Sequence, residues 1–242
     1  MASWQARLFG LYVRTAMRRR DWGDERALAR RARRVFGAPA LEARLALRGL
    51  RRQRVDHTVV HGEWLVPPDP RPGILLYVHG GGYVSCSPET HRPLTTALAR
   101  LTGRRTFVVD YRIAPEARFP AALDDVVAAY AWLVRQDGDA TRALRPAGPS
   151  RVAVAGDSAG GGLALALAQR ARDLGMPAPA CLALLSPWTD LTGELPSVRA
   201  NDGKCAMFRP ENIPAFAAAY LGGASARDPR ASPLHGGLAG LP

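Results

Sequence analysis

The pentapeptide GDSAG at residues 156–160 places a serine, Ser158, between two glycines. The short apolar run Val152–Ala155 precedes it and an Ala/Leu-rich run follows it, so the pattern predicts a strand, a sharp turn and a helix. Glycines on either side let the chain fold back tightly, and such a strained turn exposes the serine hydroxyl. The pattern therefore predicts that Ser158 is a nucleophile. The alternative is a glycine-rich phosphate-binding turn, but the stretch matches neither the P-loop nor the dinucleotide-binding pattern.

A second glycine-rich stretch, HGGG at residues 79–82, follows the apolar run Ile74–Val78. Acyl transfer to a serine develops negative charge on the substrate carbonyl oxygen. Backbone N–H groups stabilise that charge well where no side chain stands in the way. The two glycine-rich stretches together predict acyl-transfer chemistry, whereas residues 79–82 taken alone fit an ordinary strand-to-helix turn equally well.

The composition is that of a single globular domain, with 242 residues of which 47% are hydrophobic. The net charge of +12 is concentrated at one end, because residues 1–54 hold 15 arginines and four acidic residues whereas residues 55–242 have a balance of +1. The three cysteines lack metal-ligand spacing, which favours reduced thiols in the cytoplasm and no metal. No apolar run approaches the roughly 20 residues of a membrane-spanning helix, so we expect no stable membrane insertion.

Strands and helices alternate along most of the sequence, which predicts an α/β fold with a mostly parallel sheet and helices on both faces. Residues 54–66 alternate between apolar and polar residues and predict an antiparallel strand pair that turns at Gly62, followed by a stiff proline-rich loop at 67–73. Further strands are predicted at 74–78, 106–109, 152–155 and 181–185, and helices at 92–101, at 121–135 and after Ser158. A polar loop is predicted at 137–150.

The arginine-rich N-terminus has helical spacing over residues 2–19, 27–36 and 41–50. We expect residues 1–50 to form a helical cap that packs its apolar stripe on the domain and leaves its arginines in water. The segment lacks a helix-turn-helix pattern and interleaved aromatic and basic residues, so we expect no nucleic-acid partner. The alternative that it lies on an anionic membrane surface stays open.

Six motifs, in order along the chain, resemble the hormone-sensitive-lipase family of α/β-hydrolases, also called bacterial esterase family IV. They are HGGGY (79–83), YRIAPE (111–116), FPAALDD (119–125), GDSAGG (156–161), SPWTDL (186–191) and DPRASPL (228–234). The resemblance implies an α/β-hydrolase fold. It makes residues 51–242 the catalytic core, with a lid formed by the N-terminal helices and an insertion at about 196–222.

The resemblance also implies roles for individual residues. Ser158 becomes the nucleophile, His79 supports the glycine loop, and Asp157 supports the turn that carries the serine. The N–H groups that form the oxyanion hole are those of Gly80, Gly81 and Ala159. The family hydrolyses carboxylic esters with short- to medium-chain acyl groups, so the expected partner is a small-molecule ester, with no cofactor and no metal.

The sequence departs from the family at the general base. In this fold the triad runs serine, acid, histidine. His235 is the only histidine after the nucleophile, and it sits beside a motif that precedes the catalytic acid in the family. Asp190 belongs to the SPWTDL motif and is expected to be structural. Besides His79, three histidines precede the nucleophile, and the last of them has no evident route to it: His57, His61 and His91.

We therefore expect a family IV esterase that lacks its C-terminal part, with the last strands of the fold, the acid and the histidine beyond Pro242. One alternative is a catalytically dead truncated homologue, or a module that binds acyl ligands without hydrolysis. Another is a homo-oligomer in which a second chain supplies the histidine.

Overall fold

The computed structural model describes residues 3–18, 22–37, 40–137 and 151–242. The described strands are β1 (Arg51–Asp56), β2 (His61–Val66), β3 (Arg71–Val78), β4 (Arg104–Val109), β5 (Val152–Asp157) and β6 (Leu182–Leu185). The described helices are α1 (Trp4–Val13), α2 (Glu25–Val35), α3 (Ala40–Leu45), α4 (Pro88–Thr102), α5 (Ala121–Asp137), α6 (Ser158–Asp173), α7 (Pro196–Ala200) and α8 (Ile213–Leu221). A π-helical turn follows α1 at Arg14–Arg18. The loop predicted at 137–150 lies outside the described residues apart from residue 137, which ends α5.

The six described strands pair in the order β1-β2-β4-β3-β5-β6. Strands β4, β3, β5 and β6 run parallel, and β1 and β2 add an antiparallel pair at one edge. Helices connect the parallel strands, with α4 after β3, α5 after β4 and α6 after β5, as parallel pairing requires. The predicted α/β fold with a mostly parallel sheet is confirmed.

Both faces of the sheet are covered, which explains why the central strands are apolar at almost every position. On one face Leu76 belongs to a buried cluster with Val126 of α5 and Leu167 of α6. On the other face Leu75 belongs to a buried cluster with Ala99 of α4. Helices therefore lie on both faces, as the sequence predicted.

The parallel pairing of β3 with β5 brings the two glycine-rich stretches together. Val78, the last residue of β3, is in register with Gly156 of β5. The HGGG stretch and Ser158 therefore leave neighbouring strands at the same edge of the sheet. In open α/β sheets this edge, at the carboxyl ends of the strands, is where ligands bind.

The antiparallel pair turns at a different place from the one predicted. Strand β2 begins at His61, so the chain turns at residues 57–60 and the turn predicted at Gly62 is wrong. A Cβ on Gly62 would overlap the Val108 carbonyl oxygen and lie 2.7 Å from the Phe107 ring. The glycine therefore permits close packing of β2 on β4.

Two elements begin earlier than predicted. Strand β3 begins inside the predicted proline-rich loop, where the Arg71 N–H donates to the Gly103 carbonyl at 2.7 Å. Helix α4 begins at Pro88, before the predicted start, because Ser87 caps it. The Ser87 side chain accepts from the Thr90 N–H, and the Thr90 hydroxyl accepts from the Ser87 N–H.

The second N-terminal helix packs on the domain as expected. Trp22 and Leu28 are buried. The Trp22 ring meets the ring of Phe216 in α8 edge-on, with the centroids 5.1 Å apart. Helix α2 and its leading tryptophan thus join the N-terminal segment to α8.

The first N-terminal helix differs from expectation. Its side chains Trp4, Leu8 and Leu11 are 68%, 58% and 59% exposed. In the turn that follows, Arg14 and Arg18 donate to backbone carbonyl groups within residues 203–208. The expected inward apolar stripe is wrong for α1, and the arginines of the following turn are engaged by the domain, whereas Arg7 of α1 is exposed as expected. No helix within the described ranges is long and apolar enough to cross a membrane.

A buried ion pair fastens α4 to the sheet. Glu63 of β2 is only 2% exposed, and it accepts from Arg92 at 2.9 and 3.0 Å and from Arg52 at 2.6 Å. Burial by itself raises the pKa of Glu63, but the two guanidinium groups outweigh it and lower the pKa below its ordinary value. The carboxylate is therefore ionised at neutral pH and depends on its arginines.

We predict that Arg92→Met lowers the free energy of unfolding by about 3 kcal/mol at pH 7, because it deprives a buried carboxylate of its main partner. Arg135→Met, at an exposed position of α5, is the matched control and should change the free energy by less than about 0.5 kcal/mol. Urea denaturation followed by circular dichroism measures both. Equal losses in the two variants would show that the buried pair does not stabilise the fold.

Candidate active site

The turn between β5 and α6 holds Ser158 in the left-handed region of the backbone, at φ +51°. A residue with a side chain adopts this conformation only under strain. The turn is tight, because a Cβ on Gly160 would overlap the carbonyl oxygens of Val78 and His79. Ser158 is half-buried as the first residue of α6. The serine thus stands at the carboxyl edge of the sheet, at the N-terminus of a helix.

A cavity of about 650 Å³ lies beside Ser158. The serine turn, the glycine loop, the segment after β6 and the segment that includes α8 form its walls. Its large apolar lining residues are Leu185, Pro187, Trp188, Met207, Phe208, Ile213 and Phe216. Its other lining residues are Gly82, Asp157, Ser158, Ser186 and Cys205. An apolar cavity with a few polar groups is typical of a small-molecule site.

Three backbone N–H groups around the serine donate no hydrogen bond within the described part of the chain, namely those of Gly81, Gly82 and Ala159. Gly82 lines the cavity beside Ser158. Ala159 follows Ser158 in the first turn of α6, where N–H groups have no acceptor inside the helix.

The Gly80 N–H differs from these three, because it donates to the Asp157 side chain at 3.0 Å. The residue must also be a glycine, since a Cβ here would overlap the same carboxylate. An N–H group that is held by a carboxylate is not available to a substrate oxygen. The oxyanion role expected of Gly80 stays a prediction; in this structure its N–H is engaged by Asp157, whereas the Gly82 N–H is not engaged within the described residues.

A single carboxylate oxygen, Asp157 Oδ1, joins the glycine loop to the serine turn. It accepts from the Gly80 N–H and, at 2.7 Å, from the Tyr77 hydroxyl, and it lies 3.3 Å from His91 Nε2. Burial by itself raises the pKa of Asp157, but the contacts with His91, Tyr77 and Gly80 outweigh it and lower the pKa below its ordinary value. Asp157 is therefore ionised at neutral pH.

His79, at the start of the glycine loop, is fully buried and stacks on Tyr111 with the ring centroids 4.2 Å apart. Its Nδ1–H donates to the Gly80 carbonyl at 2.8 Å, and the Tyr111 hydroxyl donates to the His79 carbonyl at 2.7 Å. Burial, together with the nearby His91, lowers the pKa of His79 to about 3. The ring is therefore neutral at pH 7 and is held against the loop.

His91 is the residue near the serine that the sequence analysis missed. Its Nε2 contacts Asp157, the residue before the nucleophile, and its ring lies 5.5 Å from the His79 ring. His91 therefore reaches Asp157 beside the serine, but within the described structure it makes no hydrogen bond to Ser158 itself, so the expectation that it has no route to the nucleophile is not overturned. The available signal was the sequence at residues 87–90, a capping pattern with Pro88 in the first helical turn. It starts α4 directly after the glycine loop and so keeps His91 close to that loop.

No histidine ring hydrogen-bonds Ser158 within the described ranges. His235 Nε2 lies 3.2 Å from Asp190 Oδ1, and the Asp190 carboxylate also accepts from the Thr192 N–H and hydroxyl. These contacts place Asp190 in a local structural network. The other two histidines lie away from these networks, His57 in the turn between β1 and β2 and His61 at the start of β2.

No group of three His, Cys, Asp or Glu side chains that could hold a metal ion occurs among the described residues. The cysteines Cys86, Cys181 and Cys205 are free thiols.

A family model described as the alpha/beta hydrolase fold matches residues 75–242. The chain belongs to the alpha/beta hydrolase fold family. The crystal structure of an esterase from the bacterial hormone-sensitive lipase family matches this chain with a TM-score of 0.80 at 35% sequence identity, and the match covers 100% of this chain and 77% of that one. The chain thus falls in the hormone-sensitive-lipase branch of the family, as its motifs implied.

Curated relatives of this hydrolase include an acetyl-hydrolase of Streptomyces hygroscopicus, 42% identical over 76% of this chain and 60% of that one. A putative acetyl-hydrolase of Mycobacterium tuberculosis is 37% identical over 90% of this chain and 68% of that one. An ethyl acetate hydrolase of Pseudomonas putida is 39% identical over 72% of this chain and 54% of that one. The hydrolase therefore spans between about half and two thirds of the length of these relatives.

We predict that Asp157→Asn lowers the free energy of unfolding by about 2 kcal/mol at pH 7, because three partly buried contacts lose their anionic acceptor. The folded-state pKa of Asp157 lies below its ordinary value. The stabilisation is therefore present above about pH 4 and is lost as the pH falls through the lowered pKa. Urea denaturation at a series of pH values should show the difference from wild type shrinking towards pH 2.

The exposed Asp69 supplies the control for this series, since Asp69→Asn should leave stability nearly unchanged at every pH. A penalty for Asp157→Asn that stays constant down to pH 2 would mean that the charge on Asp157 does not stabilise the site.

Proposed function

We propose that this hydrolase cleaves carboxylic esters, with Ser158 as the nucleophile. The observation that carries the proposal is one apolar cavity lined by Ser158, on a strained turn, and by Gly82. The N–H groups of Gly82 and of the neighbouring residues 81 and 159 donate no hydrogen bond within the described structure. Acyl transfer needs a nucleophile and oxyanion donors in this relation. The names of the relatives, acetyl-hydrolase and ethyl acetate hydrolase, support the same chemistry.

In the proposed reaction Ser158 Oγ attacks the carbonyl carbon of the ester while its proton passes to a general base. The carbonyl oxygen becomes negatively charged in the tetrahedral intermediate, and the N–H groups of Gly81, Gly82 and Ala159 donate to it. The N-terminus of α6 adds a favourable field. Collapse of the intermediate expels the alcohol and leaves the acyl group on Ser158, from which water then releases it as the carboxylic acid.

Asp157 and His79 are positioning residues in this mechanism. Asp157 ties the glycine loop to the serine turn through the Gly80 N–H, so the donors and the nucleophile keep a fixed separation. His79 holds the Gly80 carbonyl from the other side. Because its ring is neutral at pH 7, His79 adds no charge that would compete for the oxyanion.

The mechanism requires a base for the Ser158 proton, and none of the described histidines contacts that hydroxyl. The proposal therefore places the base outside the described residues. A triad enzyme deprived of its base keeps only about 10³–10⁴-fold acceleration over water, which comes from oxyanion stabilisation and binding. The base is thus the group that decides the rate, whereas the described residues decide where the reaction takes place.

The cavity walls carry few polar groups, which favours a hydrocarbon acyl group. The proposed short to medium length of that group follows the family resemblance and is compatible with a cavity of about 650 Å³. We assign the residues 196–222 and the N-terminal helices to the lid over this cavity. Phe208 and Phe216 form part of the cavity wall, and their ring centroids are 5.7 Å apart. Trp22 of the N-terminal segment packs on Phe216. The free thiols fit a reducing cytoplasm.

A second candidate function is binding of an acyl ligand without hydrolysis. One observation favours it, namely that no described histidine contacts Ser158. In that case the cavity still accepts the acyl group, but the serine stays unreactive.

The decisive experiment is covalent labelling of the purified chain with a fluorophosphonate, combined with hydrolysis of p-nitrophenyl esters from acetate to palmitate. We predict labelling at Ser158, identified by mass spectrometry, and turnover that is greatest on acetate to octanoate and stays within about 10³–10⁴-fold of the uncatalysed rate in a chain without the base. Ser158→Ala should abolish both. Ser186→Ala, which removes another hydroxyl from the same cavity, is the matched control and should keep both.

Labelling that survives in Ser158→Ala contradicts the proposed nucleophile. Absence of both labelling and turnover in the wild-type chain, together with saturable binding of a fatty acid, favours the second candidate.

A further inference from the structure

The exposed face of α1 is apolar. Trp4, Leu8 and Leu11 are each more than half exposed, and their spacing of four and three residues puts them on one side of the helix. Tyr12, 65% exposed, adjoins them. Single apolar side chains are common on protein surfaces, but a contiguous apolar group on one helix face marks an interaction surface. We call this group the α1 face, defined by residues 4, 8, 11 and 12.

The charge around the α1 face identifies the kind of partner. The first 20 residues contain five arginines and no acidic residue, and Arg7 is exposed on α1 itself. An apolar helix face within a cationic segment matches a lipid bilayer with anionic headgroups. Two copies of so basic a segment repel each other. The charge therefore disfavours a second copy of the chain as the partner of the α1 face. A nucleic-acid backbone would leave the apolar face in water.

The helix is tethered to the wall of the Ser158 cavity. Arg14 donates to the residue 203 carbonyl at 2.9 Å, and Arg18 donates to the carbonyls of Cys205 and Phe208 at 3.0 and 2.6 Å. Cys205 and Phe208 both line the cavity. A surface that binds α1 is therefore brought next to the segment that borders the candidate active site.

We propose that α1 is an interfacial helix, which docks this hydrolase on an anionic lipid surface beside the Ser158 cavity. Its 10 residues extend only about 15 Å, too short to span a bilayer, so the helix lies in the plane of the surface with the α1 face toward the acyl chains. The docking itself does not depend on the proposed esterase activity. Its purpose, access to ester substrates dissolved in the membrane, rests on the proposed function.

The test is sedimentation of the full chain with sucrose-loaded phosphatidylcholine vesicles, with and without 30% phosphatidylglycerol. We expect partitioning at least tenfold greater into the anionic vesicles, falling as NaCl is raised from 50 to 500 mM. The double variant Leu8→Ser/Leu11→Ser should lose at least about tenfold in partitioning. The matched control is Leu101→Ser/Leu174→Ser, at positions that are 81% and 50% exposed on the core, and it should bind like wild type.

Several outcomes overturn the proposal. They are sedimentation with neither vesicle, equal sedimentation with both, and equal losses in the α1 and control variants. The proposal is also overturned if light scattering finds that the wild-type chain is a dimer and that Leu8→Ser/Leu11→Ser is a monomer. That result would assign the α1 face to a second copy of the chain.

Failure of the proposed function is separable from failure of the docking. Ser158→Ala should bind anionic vesicles as wild type does, and the Leu8→Ser/Leu11→Ser variant should keep the wild-type circular-dichroism spectrum, so that its loss of binding is not a loss of folding. Vesicle binding by a chain without hydrolysis supports the docking and contradicts only the esterase proposal.

Discussion

The contact on which the site depends is the hydrogen bond between the Gly80 N–H and Asp157 Oδ1. The pairing of β3 with β5 brings two loops to one edge of the sheet, but it does not fix their separation. The carboxylate does so, because it is ionised and lies at the junction of the loops with further contacts to Tyr77 and His91. Hydrogen bonds to an ionised acceptor are the stronger kind. The geometry between the nucleophile and its proposed donors therefore follows from a residue that need not react.

The same contact divides the glycine loop into two parts with different tasks. The first glycine gives its N–H to the protein, and its missing side chain makes room for the carboxylate. The next two glycines keep their N–H groups unengaged within the described structure. A loop of three consecutive glycines is thus partly a structural joint and partly the donor set that we propose for the oxyanion.

Local patterns were sufficient for most of the fold and for the position of Ser158. The patterns that predicted the α/β sheet are local, because residues close together in the sequence form them. They are the apolar strands, the glycine-flanked serine and the helical spacing. Local patterns do not reveal contacts between distant residues. Whether the Gly80 N–H meets a carboxylate depends on a residue 77 positions away. The turn predicted at Gly62 was wrong for a related reason. A glycine is equally compatible with a tight turn and with the close approach of two strands.

The N-terminus shows a further limit of sequence patterns. Helical spacing predicted amphipathic helices, but spacing does not say which face meets the domain. In α2 the apolar face does. Helix α1 is instead held by Arg14 and Arg18, which contact carbonyl groups of a segment about 190 positions away and, for Arg18, also the Asp202 carboxylate. Contacts between residues so far apart, most of them to backbone groups, leave no local pattern in the sequence.

The most direct test of the central claim is a crystal structure of the chain after reaction with a phosphonate ester, whose tetrahedral oxygen imitates the oxyanion. We predict phosphorus bonded to Ser158 Oγ and that oxygen about 2.7–3.1 Å from the nitrogens of Gly81, Gly82 and Ala159, with the Gly80 N–H still on Asp157. An adduct whose oxygen instead takes the Gly80 N–H away from Asp157 would contradict this division of the loop.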